Sequence, residues 1–428
     1  MPRHTSRYLC PMPPKVLHLS TFDARGGAGR AAYALHRAMV DSGVDSTMRV
    51  AMKSVEDATV IADPDLRFRI NNELEHRIWR LERPAVDTWR SPAYLGSMSA
   101  RKINRHQADV VNIHWATDGF LSIRQIGLIT KPVVWSLYDM WPFSGTEHYG
   151  SDATGAPDAP NARWRSGYTK ANRPAGSSGI DLDRLAWARK RKWWAAPRHV
   201  VGASTWLTHS ACDSALMHNW PTHQIPHVID CESFTPMPMS DARRELGLPQ
   251  EVPLILFLSS GGIADKRKGW DLLDRALITV RAQVPDVEVV IVGPKSPDYV
   301  SQSGVPLHWS GGISGNTALR LHYNAANVTA VPSREDNMPL TAMEAQSCGR
   351  PVAAFNIGGL PDIVDHNVTG SLTAAEDIEG LAVGLVAALH DSMSGDTWGK
   401  AARYRALAKW SREPVVSQYL SVYEEALR

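Results

Sequence analysis

A chain of 428 residues with 43% hydrophobic and 21% charged side chains has the make-up of a globular protein too long for a single core, so two domains are expected. Its 46 basic and 44 acidic side chains leave a net charge of +2, which excludes the basic surplus of a nucleic-acid binder. The four cysteines, Cys10, Cys212, Cys231 and Cys348, form no metal-spaced set, and no stretch approaches the ~20 apolar residues of a spanning helix, so the expectation is a reduced, cytoplasmic chain without a metal site.

The first strand is expected at Lys15–Ser20, followed by the glycine turn Gly26-Gly27-Ala28-Gly29 and a helix over Arg30–Asp41 that ends at Gly43. A second strand follows near Thr47–Met52, which opens an α/β unit with a parallel sheet. The valine-rich runs Asp109–His114 and Pro132–Leu137 read as buried parallel strands. Gly150–Ile180, rich in glycine, proline and serine, reads as a long loop or lid, and Leu182–Trp194 as a helix rich in Arg, Lys and Trp. A second α/β series is expected to start at His199–Gly202 and to continue through Leu254–Leu258, Val287–Val292, Val328–Val331 and Pro351–Phe355. Trp410–Leu427 reads as a terminal amphipathic helix. The predicted domains are therefore 1–197, joined by a returning helix 410–428, and 198–409.

The segment Pro332–Leu372 carries the chemistry. A strand ends at Pro332-Ser333, a polar turn follows, and Pro339 opens a helix over Leu340–Cys348. Free amides near Leu340 and Thr341 at that helix start suit a diphosphate. Asp336 and Glu344 flank the helix start, and carboxylates are good acceptors for the vicinal hydroxyls of a sugar and a ribose.

This segment resembles the donor-binding motif of retaining glycosyltransferase family 4, of the GT-B fold. The matching parts are Asp336 and Glu344 with seven residues between, Cys348-Gly349-Arg350-Pro351-Val352, and Gly358-Gly359 with Asp362. Gly26-Gly27-Ala28-Gly29 resembles the family's amino-terminal glycine loop beside the donor phosphate and acceptor, Lys268-Gly269 its phosphate-binding lysine, and Ile229-Asp230 with Phe234-Thr235-Pro236 its interdomain segment. Asp139-Met140-Trp141-Pro142-Phe143-Ser144-Gly145 is similar to a signature of exopolysaccharide-type members. Tyr138 stands where those members commonly have His, no arginine precedes Lys268 in the usual place, and Thr146-Glu147-His148-Tyr149 lacks their cysteines.

The resemblance implies two doubly wound Rossmann-like α/β domains facing a central cleft, with the terminal helix crossing back to the first. It implies transfer of a hexose-type sugar from a UDP- or GDP-linked donor, with no cofactor or metal, to a glycan, lipid-linked or small-molecule acceptor, as in bacterial surface polysaccharide synthesis. Asp336, Lys268, Tyr138 and Asp139 are the implied catalytic residues. Gly26, Gly27, Gly29, Arg267, Lys268, Asn337, Met338, Pro339, Leu340, Thr341 and Glu344 are the implied donor-binding residues. The rival within the family likeness is a catalytically degenerate binding or scaffold protein, which Tyr138 and the missing arginine favour.

Gly27, Gly29 and Ala32 also fit the dinucleotide fingerprint, but the second strand lacks the acidic residue that would hold a ribose. Asp63-Pro64-Asp65 spells a metal-binding pattern of another transferase fold and is assigned to surface. Arg189-Lys190-Arg191-Lys192 followed by Trp193-Trp194 suits a peripheral contact with an anionic membrane face, against a solvated helix face with the tryptophans packed inward.

Overall fold

The computed structural model describes residues 13–62, 66–85, 88–150, 162–296 and 298–428. Asp63-Pro64-Asp65 and part of the expected lid lie outside them. Two parallel sheets organise the chain. The first is built from β1 (Val16–Phe22), β2 (Ser46–Met52), β3 (Val60–Ala62), β4 (Val110–Ile113), β5 (Val133–Leu137), β6 (His199–Gly202) and β7 (Thr222–Gln224), in the order β3-β2-β1-β4-β5-β6-β7. The second holds β8 (Leu254–Leu258), β9 (Glu288–Val292), β10 (Leu307–Gly311), β11 (Val328–Val331), β12 (Val352–Phe355) and β13 (Gly370–Thr373), in the order β10-β9-β8-β11-β12-β13. The central strands are buried on both faces, which is why they read as unbroken apolar runs such as LILFL.

Each sheet reverses its winding at one place: between β1 and β4 in the first, between β8 and β11 in the second. At such a switch point the connections leave to opposite sides, and a crevice opens beyond the carboxyl ends of the strands. The segments with chemical content leave those ends: Gly26 follows β1, Tyr138 follows β5, Lys268 follows β8 and Asp336 follows β11.

The expected boundary at 197/198 is corrected. His199–Gly202 pairs with Val134–Leu137 and so belongs to the first sheet, which runs on to Gln224. Its inward valines, Val200 and Val201, continue the first core and do not start a second one. The five helices that matter below are α1 (Gly26–Asp41), α2 (Leu66–Trp79), α3 (Leu182–Trp193), α4 (Leu340–Ser347) and α5 (Arg412–Ala426). Helix α5 returns to the first sheet as expected. Val415, Val416, Val422 and Tyr423 bury against Val16, Val110 and Val134. Asn112 donates to the Tyr423 hydroxyl at 2.7 Å, and the Ser136 and Tyr419 hydroxyls meet at 3.0 Å, so the polar side chains of β4 and β5 under that helix are satisfied. No helix among the described residues is long and apolar enough to cross a membrane.

Candidate functional site

A cleft of about 1360 Å³ is lined by both domains. Its second-domain wall is one short stretch of chain and two supports. Lys268 donates to Asp336 at 2.6 Å, Arg267 stands 3.7 Å from the same oxygen, and the Ser333 hydroxyl donates to it at 3.2 Å. Burial alone would raise the Asp336 carboxyl. Lys268, Arg267 and the Ser333 hydroxyl outweigh burial and hold it below the ordinary carboxylate range, so it is ionised. Gly358, at φ +52°, and Gly359 pass directly beneath this loop, where a Cβ would collide with the carbonyl oxygens of Asp336 and Asn337. At the start of α4 the amides of Leu340 and Thr341 donate to no acceptor among the described residues, and Met338, Pro339, Leu340 and Thr341 all line the cleft. Glu344, one turn deeper, accepts from the Tyr323 hydroxyl at 2.8 Å. Burial raises its carboxyl, and Arg30 of α1 offsets only part of that by pairing with the other oxygen.

The first-domain wall is assembled from distant parts. Gly26, at φ +65°, and Gly27 face the cleft, where an added Cβ would meet nothing within 4 Å. Gly29 does not line it. Its missing side chain leaves room for the Asp23 carbonyl, whose oxygen would stand 2.8 Å from an added Cβ. Tyr138 lines the cleft with its ring, but its hydroxyl points into the sheet, 3.0 Å from His114 Nδ1, and His114 Nε2 lies 2.8 Å from His18 Nδ1. Burial pushes the phenol well above its ordinary value. Asp139 is engaged on both oxygens: it accepts from the Trp141 amide at 3.0 Å, from Trp115 Nε1 at 3.0 Å, and meets His148 Nδ1 at 2.6 Å. Both predicted catalytic groups are therefore engaged in holding this wall together. Asn337 spans the cleft, donating to the Tyr138 carbonyl at 3.1 Å and accepting from Ser204 at 2.6 Å.

Two residues were missed in the sequence. Arg30, in the middle of an ordinary helix pattern, reaches a carboxylate 314 positions away. His227 lines the cleft with its ring stacked on Tyr138, centroids 5.1 Å apart. Burial lowers it to about 4, so it is a neutral donor and acceptor, and it makes no side-chain hydrogen bond to a described residue. No spacing in the chain marks either one.

On α3 the basic run is partly spent inside the protein, with Trp194 packed inward. Lys190 is fully buried, its ammonium donating to the carbonyls of Trp141, Ser144 and Gly145 and lying 4.0 Å from the centre of the Trp141 ring. Arg189 donates to the Pro92 and Ala93 carbonyls, and Trp194 is buried. Only Arg191 and Lys192 are exposed. Beneath the 139–149 loop, Arg90 chelates Asp183 at 2.6 and 2.8 Å, and Arg163 pairs with Asp181 at 2.8 Å. Glu82, Asp181 and Asp183 come close enough to hold a metal ion, but Arg163 and Arg90 already pair with the two aspartates and Arg173 stands 3.5 Å from Glu82. A second such group, His199, His223 and Glu425, joins β6 and β7 to α5. Neither group lines the cleft.

Residues 253–391 match the family model described as Glycosyl transferases group 1. Among curated relatives, the D-inositol 3-phosphate glycosyltransferase of Mycobacterium avium (strain 104) is 32% identical over 212 residues, 47% of this chain and 48% of the relative. That of Thermobispora bispora is 31% identical over 216 residues, 46% of this chain and 49% of the relative. The chain thus spans about half the length of the curated relatives it matches. Among solved structures, sucrose-phosphate synthase from Thermosynechococcus elongatus superposes with TM-score 0.63 at 18% identity, covering 96% of this chain and 98% of the other. HepE of Anabaena in complex with UDP-glucose superposes with TM-score 0.62 at 16% identity, covering 96% and 100%. At these identities the likeness shows the fold. The chain has the GT-B fold, and its residues 253–391 match the family described as Glycosyl transferases group 1.

Proposed function

We propose that the chain is a metal-independent, retaining glycosyltransferase that moves a hexose-type sugar from a nucleoside diphosphate to an acceptor held by the first domain. The reading rests on one arrangement: two cations, an ionised carboxylate, the open amides of a helix start and a deeper buried carboxylate converge on one cleft. In this reading Lys268, Arg267 and the Leu340 and Thr341 amides take the diphosphate, replacing a metal ion as the source of positive charge. Glu344 takes the ribose hydroxyls once Arg30 gives way. Asp336 and the Asn337 and Met338 amides orient the sugar, and Gly26 and Gly27 allow the phosphate to approach the backbone closely.

The acceptor oxygen attacks the anomeric carbon on the face from which the phosphate leaves. The carbon–oxygen bond to the diphosphate breaks, a new glycosidic bond forms, and the acceptor proton passes to a departing phosphate oxygen. Positioning and charge stabilisation supply the rate. The sugar-bound neighbours make UDP and UDP-glucose the first donors to try. The named activity of the curated relatives makes a phosphorylated polyol one acceptor to try beside glycans and lipid-linked sugars.

A thermal-shift screen against UDP, GDP, ADP, dTDP and their hexose conjugates, without magnesium, tests donor binding, because a ligand of the native state raises the midpoint by mass action. A rise with one nucleotide that is lost in Lys268→Ala and Glu344→Ala supports the reading. No rise with any of the four contradicts it. A second reading, a sugar-nucleotide-binding scaffold without turnover, is favoured by the Tyr138 hydroxyl and Asp139 being committed to internal bonds. It predicts binding with no release of free diphosphate in the presence of acceptors.

A further inference from the structure

Helix α2 carries its polarity inverted. Its inward stripe is Phe68, Asn71 and Glu75, of which two are polar. Glu75 accepts from the Leu95 amide at 2.6 Å, and neighbouring Asn72 donates to the Asp118 carbonyl at 3.0 Å, so polar bonds fix this face to the first domain. Its outward stripe is apolar: Leu66 is 74%, Ile70 50% and Leu74 39% exposed. A spacing of four advances only about 40° around a helix, so these three share one flank. The strip continues beyond the helix through Leu81, which is tied to Ile180 by the Ile180 amide donating to its carbonyl at 3.0 Å; both side chains are exposed. Half-exposed Trp89 stands 6.4 Å from the Trp79 ring at the end of the helix.

Isolated exposed apolar residues are ordinary, but a continuous strip on a helix whose other face is polar marks a surface that something covers. Charge identifies what covers it. Residues 66–83 include five arginines, Arg67, Arg69, Arg77, Arg80 and Arg83, all exposed. Of the three acids in that stretch, Glu75 and Glu82 are buried, which leaves Glu73 as the one exposed acid, paired with Arg77 at 3.0 Å. For a chain of net charge +2, this is a local concentration of positive charge beside apolar and Trp side chains. That combination suits the boundary between anionic headgroups and acyl chains, with the helix lying in the plane of the surface.

We propose that α2, with Leu81 and Ile180 beside it, forms a docking surface for an anionic lipid bilayer. The apolar strip enters the headgroup boundary and the arginines pair with lipid phosphates. The surface replaces the α3 basic run as the place of membrane contact. It is independent of the proposed reaction, because vesicle binding needs no turnover. It lies on the domain that forms the acceptor wall: Asp118 meets Ser91 at 2.8 Å, Ser91 meets His148 at 2.8 Å, and His148 meets Asp139 at the cleft.

The test is flotation of the whole chain with vesicles of phosphatidylcholine alone or with roughly one-third phosphatidylglycerol, at low salt and at about 0.5 M salt. The wild type is expected to bind the anionic vesicles about tenfold more tightly than the neutral ones, and less tightly at high salt. Ile70→Glu with Leu74→Glu, and separately Arg69→Glu with Arg80→Glu, are expected to lose about tenfold while melting at the wild-type midpoint. No binding to anionic vesicles, or variants that bind as the wild type does, overturns the inference. So does a wild-type dimer in sedimentation that Ile70→Glu with Leu74→Glu disperses, since the strip would then be an interface between copies.

Discussion

The two walls of the cleft are made in different ways. On the second-domain side, Asp336, the open helix start and Glu344 lie within nine consecutive residues, steadied by Lys268 from one loop and by Gly358-Gly359 from another. On the first-domain side, Arg30, the loop carrying Tyr138, Asp139 and His148, and His227 come from separate parts of the chain, and most of their polar groups are already engaged within the protein. The first wall resembles a scaffold and the second a binding surface. Damage to the first should therefore cost folding, and damage to the second should cost ligand and turnover.

The largest effect should come from beneath the first wall. Asp183→Ala leaves Arg90 buried without its partner and should destabilise the chain by about 3–5 kcal/mol in chemical denaturation. A loss below about 1 kcal/mol would mean that the cluster is not a structural one. Lys268→Ala should lower turnover about a hundredfold, as removal of one charge-stabilising donor typically does, with the melting midpoint nearly unchanged. If that variant unfolds instead, the contrast between the walls fails.

Acidity sharpens the comparison on a smaller scale. Burial pushes Glu75 and Glu82 up to about 7 and Glu147 to about 8. The stability these groups contribute is complete below their unfolded value, near 4.5, and is lost as pH rises through 7 to 8. His36, His114 and His227, lowered to about 4, 3 and 4, are neutral in both states above about 6.5 and do not oppose this. Compared with the wild type, Glu75→Gln should therefore lose less of its melting midpoint between about pH 5 and 8, by about 2–4 °C. An identical pH dependence in the two proteins contradicts the assignment.

The smallest expected effects are at the residues bridging the walls. Arg30→Ala, which frees Glu344, should tighten nucleotide binding about threefold. His227→Phe keeps the stack on Tyr138 but removes a neutral hydrogen-bonding group. It should weaken the sugar conjugate about fivefold and leave the bare diphosphate unaffected in calorimetric titration.

The same contrast explains what could be read from the chain. Buried parallel strands announce themselves as short apolar runs, and a helix start with flanking acids is a local pattern, so the fold class and the Asp336–Glu344 wall were legible. His199–Gly202 was placed with the wrong sheet because one βα unit looks like the next, and only long-range pairing decides its neighbour. Helix α2 escaped notice because its apolar stripe faces outward over a polar inner face, the reverse of the usual signal. The 139–145 signature was visible, but two partners of its Asp, Trp115 and His148, come from elsewhere in the fold and no local spacing announces them. The partners of Arg30 and Lys190 are set by tertiary packing, to which local spacing gives no access.

The most direct test of the central claim is calorimetric titration of the whole chain with the nucleotide diphosphate selected by the thermal screen, in excess EDTA, for the wild type and Lys268→Ala. The account predicts that binding survives the chelator and weakens at least about tenfold in the variant, since Lys268 and the start of α4 hold the diphosphate in place of a metal ion. Binding abolished by EDTA, or indifferent to loss of Lys268, would contradict it.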